Sequence, residues 1–251
     1  MSSYNTLEIF GYPVFIAKLD QIDLKDKCIV NTINQYSYVM AENDTVFKEA
    51  LLNSDVLLPD GVGIVAAAQL TRNRRIKKIA GADIHKHLLQ QLNEQEGGGR
   101  CFYLGSLDKT LQTIHSRLSE DYPNITVASY SPPFKPIFTE EDNNLMIEKV
   151  NAFKPDVLFV GMTAPKQEKW VFINKDKIDA RIVCSIGAVF DFYAGTIKRP
   201  GRFWIKIGME WMVRLSHQPR RLWKRYLYYG PVFIADLVKV SFNNIFHRGD
   251  L

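Results

Sequence analysis

A chain of 251 residues, 46% of them apolar, is long enough to bury a substantial core, as one large α/β domain or one domain plus an appendage. The net charge of +5 is uneven: residues 196–251 hold 11 Lys/Arg and 3 Asp/Glu, a balance of +8, while residues 1–195 carry −3, so the tail calls for an anionic partner. No apolar segment follows the polar Met1–Tyr4, no run of about 18 apolar residues exists, and Cys28, Cys101 and Cys184 share no metal-like spacing; neither a signal peptide nor a spanning helix nor a cysteine metal site is expected, and buried free thiols suit a reducing cytoplasm.

Residues 6–18 predict a strand pair or edge ribbon, punctuated by Gly11 and Pro13. Cys28-Ile29-Val30 predicts a short core strand ending in Asn31-Thr32-Ile33-Asn34, where polar side chains replace apolar ones. Thr32 and Asn34 lie two apart and point the same way on an extended chain. They either meet a ligand beyond the strand's carboxyl end or form a helix cap and turn. A helix-like run follows, broken near Asn43-Asp44, with Thr45–Leu52 continuing it.

The stretch Ser54–Val65 organises the rest. It predicts a buried strand over Val56–Leu58, a turn at Pro59-Asp60-Gly61 and a helix from Val62, which is half of a βαβ unit. Gly61 and Gly63 remove side chains where that helix begins, so a ligand can approach the backbone. The helix's first N–H groups and its dipole suit a phosphate. Asp60 is the odd residue there, and it is either a helix cap or a general base beside an anionic donor.

Beyond it, the basic run Thr71–Lys78 has a solvated face as its plain reading, and Gly81 opens another helix with Asp83 in its first turn. Gly97-Gly98-Gly99 precedes a strand, whereas phosphate loops follow one, so it is a turn. Strands over residues 101–105, 125–129 and 155–160 alternate with helices to about Ser119 and over Glu140–Phe153. This alternation predicts an α/β fold with a doubly wound, mainly parallel, Rossmann-like sheet. After the strand Asp156–Val160, Lys166, Gln167 and Glu168 fall at a helix N-terminus on the ligand side of the sheet. The last strand, Arg181–Ile186, runs into Gly187–Phe192, where Asp191 is either a satisfied cap or a ligand contact. No G-x-S-x-G elbow exists, and no Asp-x-Asp pair, so neither a serine triad nor a metal is implied.

From Thr196 a helical appendage is expected. It concentrates Trp204, Trp211 and Trp223 with Tyr226, Tyr228 and Tyr229 beside its basic residues. Arg214, Arg221 and Arg225 share one face of a continuous helix, or a bent one if Gln218-Pro219 starts a second. Aromatic rings beside Lys/Arg are the pattern of an interfacial membrane segment, and Arg suits bidentate phosphate contact. The alternative is a helical hairpin packed on the body with a solvated basic face.

These motifs stand together: T-x-N at Thr32–Asn34, P-D-G-V-G at Pro59–Gly63, G-A-D-I at Gly81–Ile84, A-P-K-Q-E-K-W at Ala164–Trp170, G-A-V-F-D-F-Y-A-G at Gly187–Gly195, E-W-M-V-R-L at Glu210–Leu215 and P-R-R-L-W-K-R-Y at Pro219–Tyr226. In this set the chain resembles the WecG/TagA/CpsF family of bacterial glycosyltransferases, from about Phe10 to Tyr229. The resemblance implies inverting transfer of a sugar from a UDP-sugar to a polyprenyl-diphosphate-linked sugar in cell-surface polysaccharide synthesis. It implies a peripheral protein on the cytoplasmic face of the bacterial inner membrane, without a cofactor. It implies Asp60 as general base with Thr32 beside it, and Asn34, Gln167 and Asp191 as polar pocket residues. Arg214 and Arg221 would close over the site and bring it to the membrane. The family often has Arg where this chain has Lys78 and Lys224; both keep charge and lose bidentate geometry. Body (1–195) and appendage (196–251) divide the work, and homo-oligomerisation is left open. Two other classes have less behind them. A nucleotide-binding oxidoreductase lacks the G-x-G-x-x-G fingerprint. A nucleic-acid-binding module on the basic tail lacks a reading motif.

Overall fold

The computed structural model describes residues 4–22, 24, 27–197, 200–201, 203–204 and 208–246, except for the side chains of 214, 217, 221 and 243–246. Eight strands form one sheet: β1 (Thr6–Ile9), β2 (Tyr12–Phe15), β3 (Cys28–Ile33), β4 (Val56–Pro59), β5 (Arg100–Gly105), β6 (Thr126–Tyr130), β7 (Val157–Gly161) and β8 (Ile182–Ser185). Their order across the sheet is β1-β2-β4-β3-β8-β7-β5-β6. Among the described residues only the β1–β2 hairpin is antiparallel, which is the edge ribbon that Gly11 and Pro13 mark. The helices of the body are α1 (Gln35–Glu42), α2 (Thr45–Leu52), α3 (Val62–Arg72), α4 (Gly81–Glu94), α5 (Asp108–Asp121), α6 (Glu140–Phe153), α7 (Lys166–Asn174) and α8 (Gly187–Ala194). The tail adds α9 (Glu210–His217), α10 (Pro219–Trp223), a π-helical turn over Lys224–Tyr228, and α11 (Tyr229–Phe246).

The strands are apolar on both faces, as a covered parallel sheet requires. Cys28, Val30, Val56, Leu58, Ile182 and Cys184 pack with α4, α5 and α8. Their strand neighbours Ile29, Leu57 and Val183 point the other way, to the layer that holds α1, α2, α3, α6 and α7. All three cysteines are free and buried in strands. Several helix starts are capped by their own sequence. Asp44 accepts from Phe47 N at 3.0 Å to start α2, and Thr139 and Asp142 bond reciprocally at 2.9 and 3.2 Å to start α6.

One finding differs from the sequence reading, and a second agrees with its packed-hairpin alternative. Strand β3 continues to Ile33, so the polar Asn31 lies inside it. The Asn31 amide donates to Ser54 Oγ at 2.9 Å and to Ala50 O at 3.4 Å, which pairs its donor side inside the strand layer. The tail is also joined to the core. Phe233 and Leu237 of α11 are 3% and 8% exposed and pack with Phe10, Tyr38 and Ile64, about 1.5–3 kcal/mol of burial each. The opposite side of α11 leaves Ile234, Val238 and Phe242 exposed. No helix among the described residues is long and apolar enough to cross a membrane.

Candidate active site

The parallel register sets Ile33 beside Pro59 and Val160 beside Ser185, and it pairs Val30 with Cys184, so β3 and β4 run past the ends of β7 and β8. Beyond those carboxyl ends lies a cavity of about 390 Å³, with a smaller one of about 60 Å³ next to it. Asp60, Asn34, Glu210 and Arg225 line both. Helices α3, α4 and α8 all begin at these walls, through Gly61, Gly81 and Gly187, so their positive dipole ends converge on the space.

Asp60 is placed by backbone. Its N–H donates to Ile33 O at 2.9 Å, extending the β3–β4 ladder by one residue. It is not the cap of α3: the N-cap is Gly61, at φ +117, with no side-chain cap bond. That φ is open to glycine and strained for other residues. The carboxylate therefore stands at the wall of both cavities, one residue outside the helix.

The other sequence-derived residues divide. Thr32, Asn34, Gln167 and Lys224 line the large cavity with Asp60, and Gly61 and Lys78 line the small one. Asn34 is also a cap. Its Oδ1 accepts from Tyr36 N at 3.0 Å and Ser37 N at 3.1 Å, while Ser37 Oγ accepts from Asn34 N at 2.7 Å. Gln167 is a strut: Oε1 accepts from Met162 N and Gly187 N, each at 3.2 Å, tying the loop after β7 to the start of α8. Lys78 reaches the tail, pairing with Glu210 at 3.1 Å, both side chains largely covered. Gly63 is a packing glycine rather than an opening. A Cβ there would meet Phe233 Cε1 at 3.2 Å and Gln35 Cβ at 3.3 Å, so the close approach is made by α11 and α1. Asp191 accepts from Thr196 Oγ1 at 3.2 Å and does not line either cavity. The side chains of Arg214 and Arg221 lie outside the described residues. Their helices do break at Gln218, as Pro219 predicts. Arg225, a residue of the same expected face, lies over the Tyr36 ring at 5.0 Å, with Tyr229 edge-on to Tyr36 at 5.1 Å.

Glu168 is the residue that sequence reasoning placed on the ligand side without giving it a role. It is 2% exposed and lines the large cavity. Oε1 accepts from Gln167 Nε2 at 2.9 Å. Burial pushes its carboxyl up to about 7, against the pull of the Gln167 bond, its own backbone N–H and the Arg225 charge. The folded chain thus holds a proton there that the unfolded chain, titrating near 4.5, releases. The stability this confers is full below about pH 4.5 and is lost as pH rises through about 7. At about 1.4 kcal/mol per pKa unit, we expect a loss of about 2–3 kcal/mol between pH 5 and pH 8. Urea unfolding at the two pH values tests this: Glu168→Gln should remove that part of the slope, and an unchanged slope would refute the assignment. Among the described residues no group of three or more His, Cys, Asp or Glu is placed to hold a metal ion.

A model of the WecG/TagA/CpsF glycosyl transferase family matches residues 9–245. The chain belongs to the WecG/TagA/CpsF family. It is a glycosyltransferase. Among its relatives is an N-acetylglucosaminyldiphosphoundecaprenol N-acetyl-beta-D-mannosaminyltransferase of Bacillus subtilis strain 168, 32% identical over 206 residues, covering 82% of this chain and 77% of the relative. A protein of the same name from Bacillus spizizenii strain W23 is 27% identical, covering 90% and 85%. A third, from Staphylococcus aureus strain MW2, is 24% identical, covering 80% and 76%. The WecG/TagA/CpsF match spans most of the tail as well as the body.

Proposed function

We propose that this glycosyltransferase moves a sugar from a UDP-sugar to a polyprenyl-diphosphate-linked sugar, inverting the anomeric centre, with Asp60 as general base. The observation that carries the reading is the position of Asp60. It stands at the shared wall of two cavities, ringed by helix N-termini and faced by tail cations. An acceptor hydroxyl attacks the anomeric carbon and passes its proton to the Asp60 carboxylate. The bond from that carbon to the diphosphate oxygen breaks, and UDP leaves with the electron pair. Negative charge grows on the diphosphate, where the amides of Gly61 and Val62, Lys78 and Lys224 can meet it. Arg214 and Arg221 would join them as the tail folds over the site. Thr32 and Asn34 hold the neighbouring wall.

The relatives' names support a substrate class of an N-acetylmannosamine-type donor sugar and an N-acetylglucosamine-diphosphate lipid acceptor. Residues 1–195 act as catalytic body and 196–251 as the appendage that docks, peripherally, on the anionic cytoplasmic surface of the membrane. A donor screen by UDP release, with a short-chain lipid-diphosphate acceptor, tests the reading. UDP-N-acetylmannosamine is expected to lead, and release only without acceptor would refute transfer. Turnover is expected to persist in EDTA, because protein cations and helix termini meet the leaving diphosphate. Loss on chelation, restored by magnesium or manganese, would show that a metal does this instead.

A further inference from the structure

Glu168 Oε2 and Ser185 Oγ are buried polar atoms beside the large cavity with no hydrogen-bond partner among the described residues. Ser185 is fully buried at the end of β8, and α7, which carries Glu168, packs on that strand. Leaving a carboxyl oxygen buried and unbonded is costly, and such atoms persist in folded proteins where a ligand or mechanism uses them. This one is also fixed in place. Its sister oxygen is held by Gln167, whose own oxygen is clamped between the backbone N–H groups of Met162 and Gly187. That chain of bonds fixes a carboxyl at the cavity wall.

Above about pH 7, where this carboxyl is ionised, it repels phosphate, so its partner is a neutral part of the ligand. The opposite end of the space, at Gly61 and Lys78, suits the diphosphate. We propose that Glu168, with Ser185, is a specificity-determining contact for the uncharged part of the donor: an O–H or N–H of the sugar or the base donates to Glu168 Oε2 and the Ser185 hydroxyl completes the pair. This rests on the UDP-sugar reading and gives the donor a direction, neutral end at α7 and β8, charged end at α3.

Calorimetric titration of the full chain with UDP-N-acetylmannosamine, UDP and uridine tests it, with a melting curve beside each variant. Glu168→Met and Ser185→Ala are each expected to weaken UDP-sugar binding by about 10- to 100-fold, and Glu168→Gln, which keeps an acceptor, by less. If the sugar supplies the donor group, UDP binding stays unchanged; if the base does, UDP and uridine weaken in step. Melting at pH 8 should hold or rise in Glu168→Gln, since a buried charge is removed. Variants that bind all three probes like the wild type would overturn the inference alone, as would losses that merely follow lost stability. A wild-type chain that binds no UDP species would overturn the donor reading and this inference with it.

Discussion

Asp60→Asn is expected to slow transfer by about 100- to 10,000-fold while leaving the fold intact. The substitution keeps the size of the side chain and removes the lone pair that takes the acceptor proton. The variant keeps the backbone N–H bond to Ile33 O and the Gly61 N-cap of α3. Donor binding should tighten slightly or hold, since a negative charge beside a diphosphate is lost. The pattern is therefore a fall in kcat with KM for the UDP-sugar unchanged, measured by UDP release, with an unchanged melting curve. Near-normal turnover would remove Asp60 as the base, and an unfolded variant would make it a structural residue.

Removal of residues 196–251 is expected to abolish both liposome binding and turnover. The segment carries +8 against −3 in the body, and each Lys/Arg near an anionic surface contributes on the order of 1 kcal/mol. The exposed Trp223, Leu227, Ile234, Val238 and Phe242 add apolar contact for a bilayer. Truncation also uncovers the core that Phe233 and Leu237 close and deletes the wall that Lys224 and Arg225 supply, so it should lower the melting temperature as well. Point variants separate these effects. Arg214→Ala and Arg221→Ala should cost turnover far more than docking, because the other cations still hold the chain on the membrane. Co-sedimentation with anionic liposomes over a salt series, run beside UDP release, resolves the two. A truncated chain that still sediments with anionic liposomes, or arginine variants with full activity, would contradict the division of labour.

The strand-to-helix punctuation of the body was legible because it is local. Pro59-Asp60-Gly61 stops β4 and opens α3, Glu140 begins a helix behind a Thr139 cap, and Pro219 starts a helix after a break, all within a few residues of the signal. What sequence reasoning missed is non-local. Gly63 looks like an opening for a ligand until Phe233, far along the chain, fills the space over it. Lys78 reads as part of a solvated basic run, and its partner Glu210 lies in the tail. Glu168 did leave a trace: on α7 it falls one turn before Val171, within the set Gln167, Trp170, Val171 and Asn174 that helical spacing turns inward. A charged residue at a position that periodicity buries is a signal of function, and it was available. Asn34 shows that the paired readings were not exclusive, since one side chain both caps α1 and faces the cavity.

The most direct test of the mechanism is the anomeric configuration of the product. The full chain would be given an α-linked UDP-N-acetylmannosamine and a short-chain N-acetylglucosamine-diphosphate lipid, and the disaccharide product read by NMR. A single displacement with one base at Asp60 requires the new linkage to be β. An α linkage would mean retention through a second displacement, for which Asp60 alone does not suffice, and would contradict the mechanism.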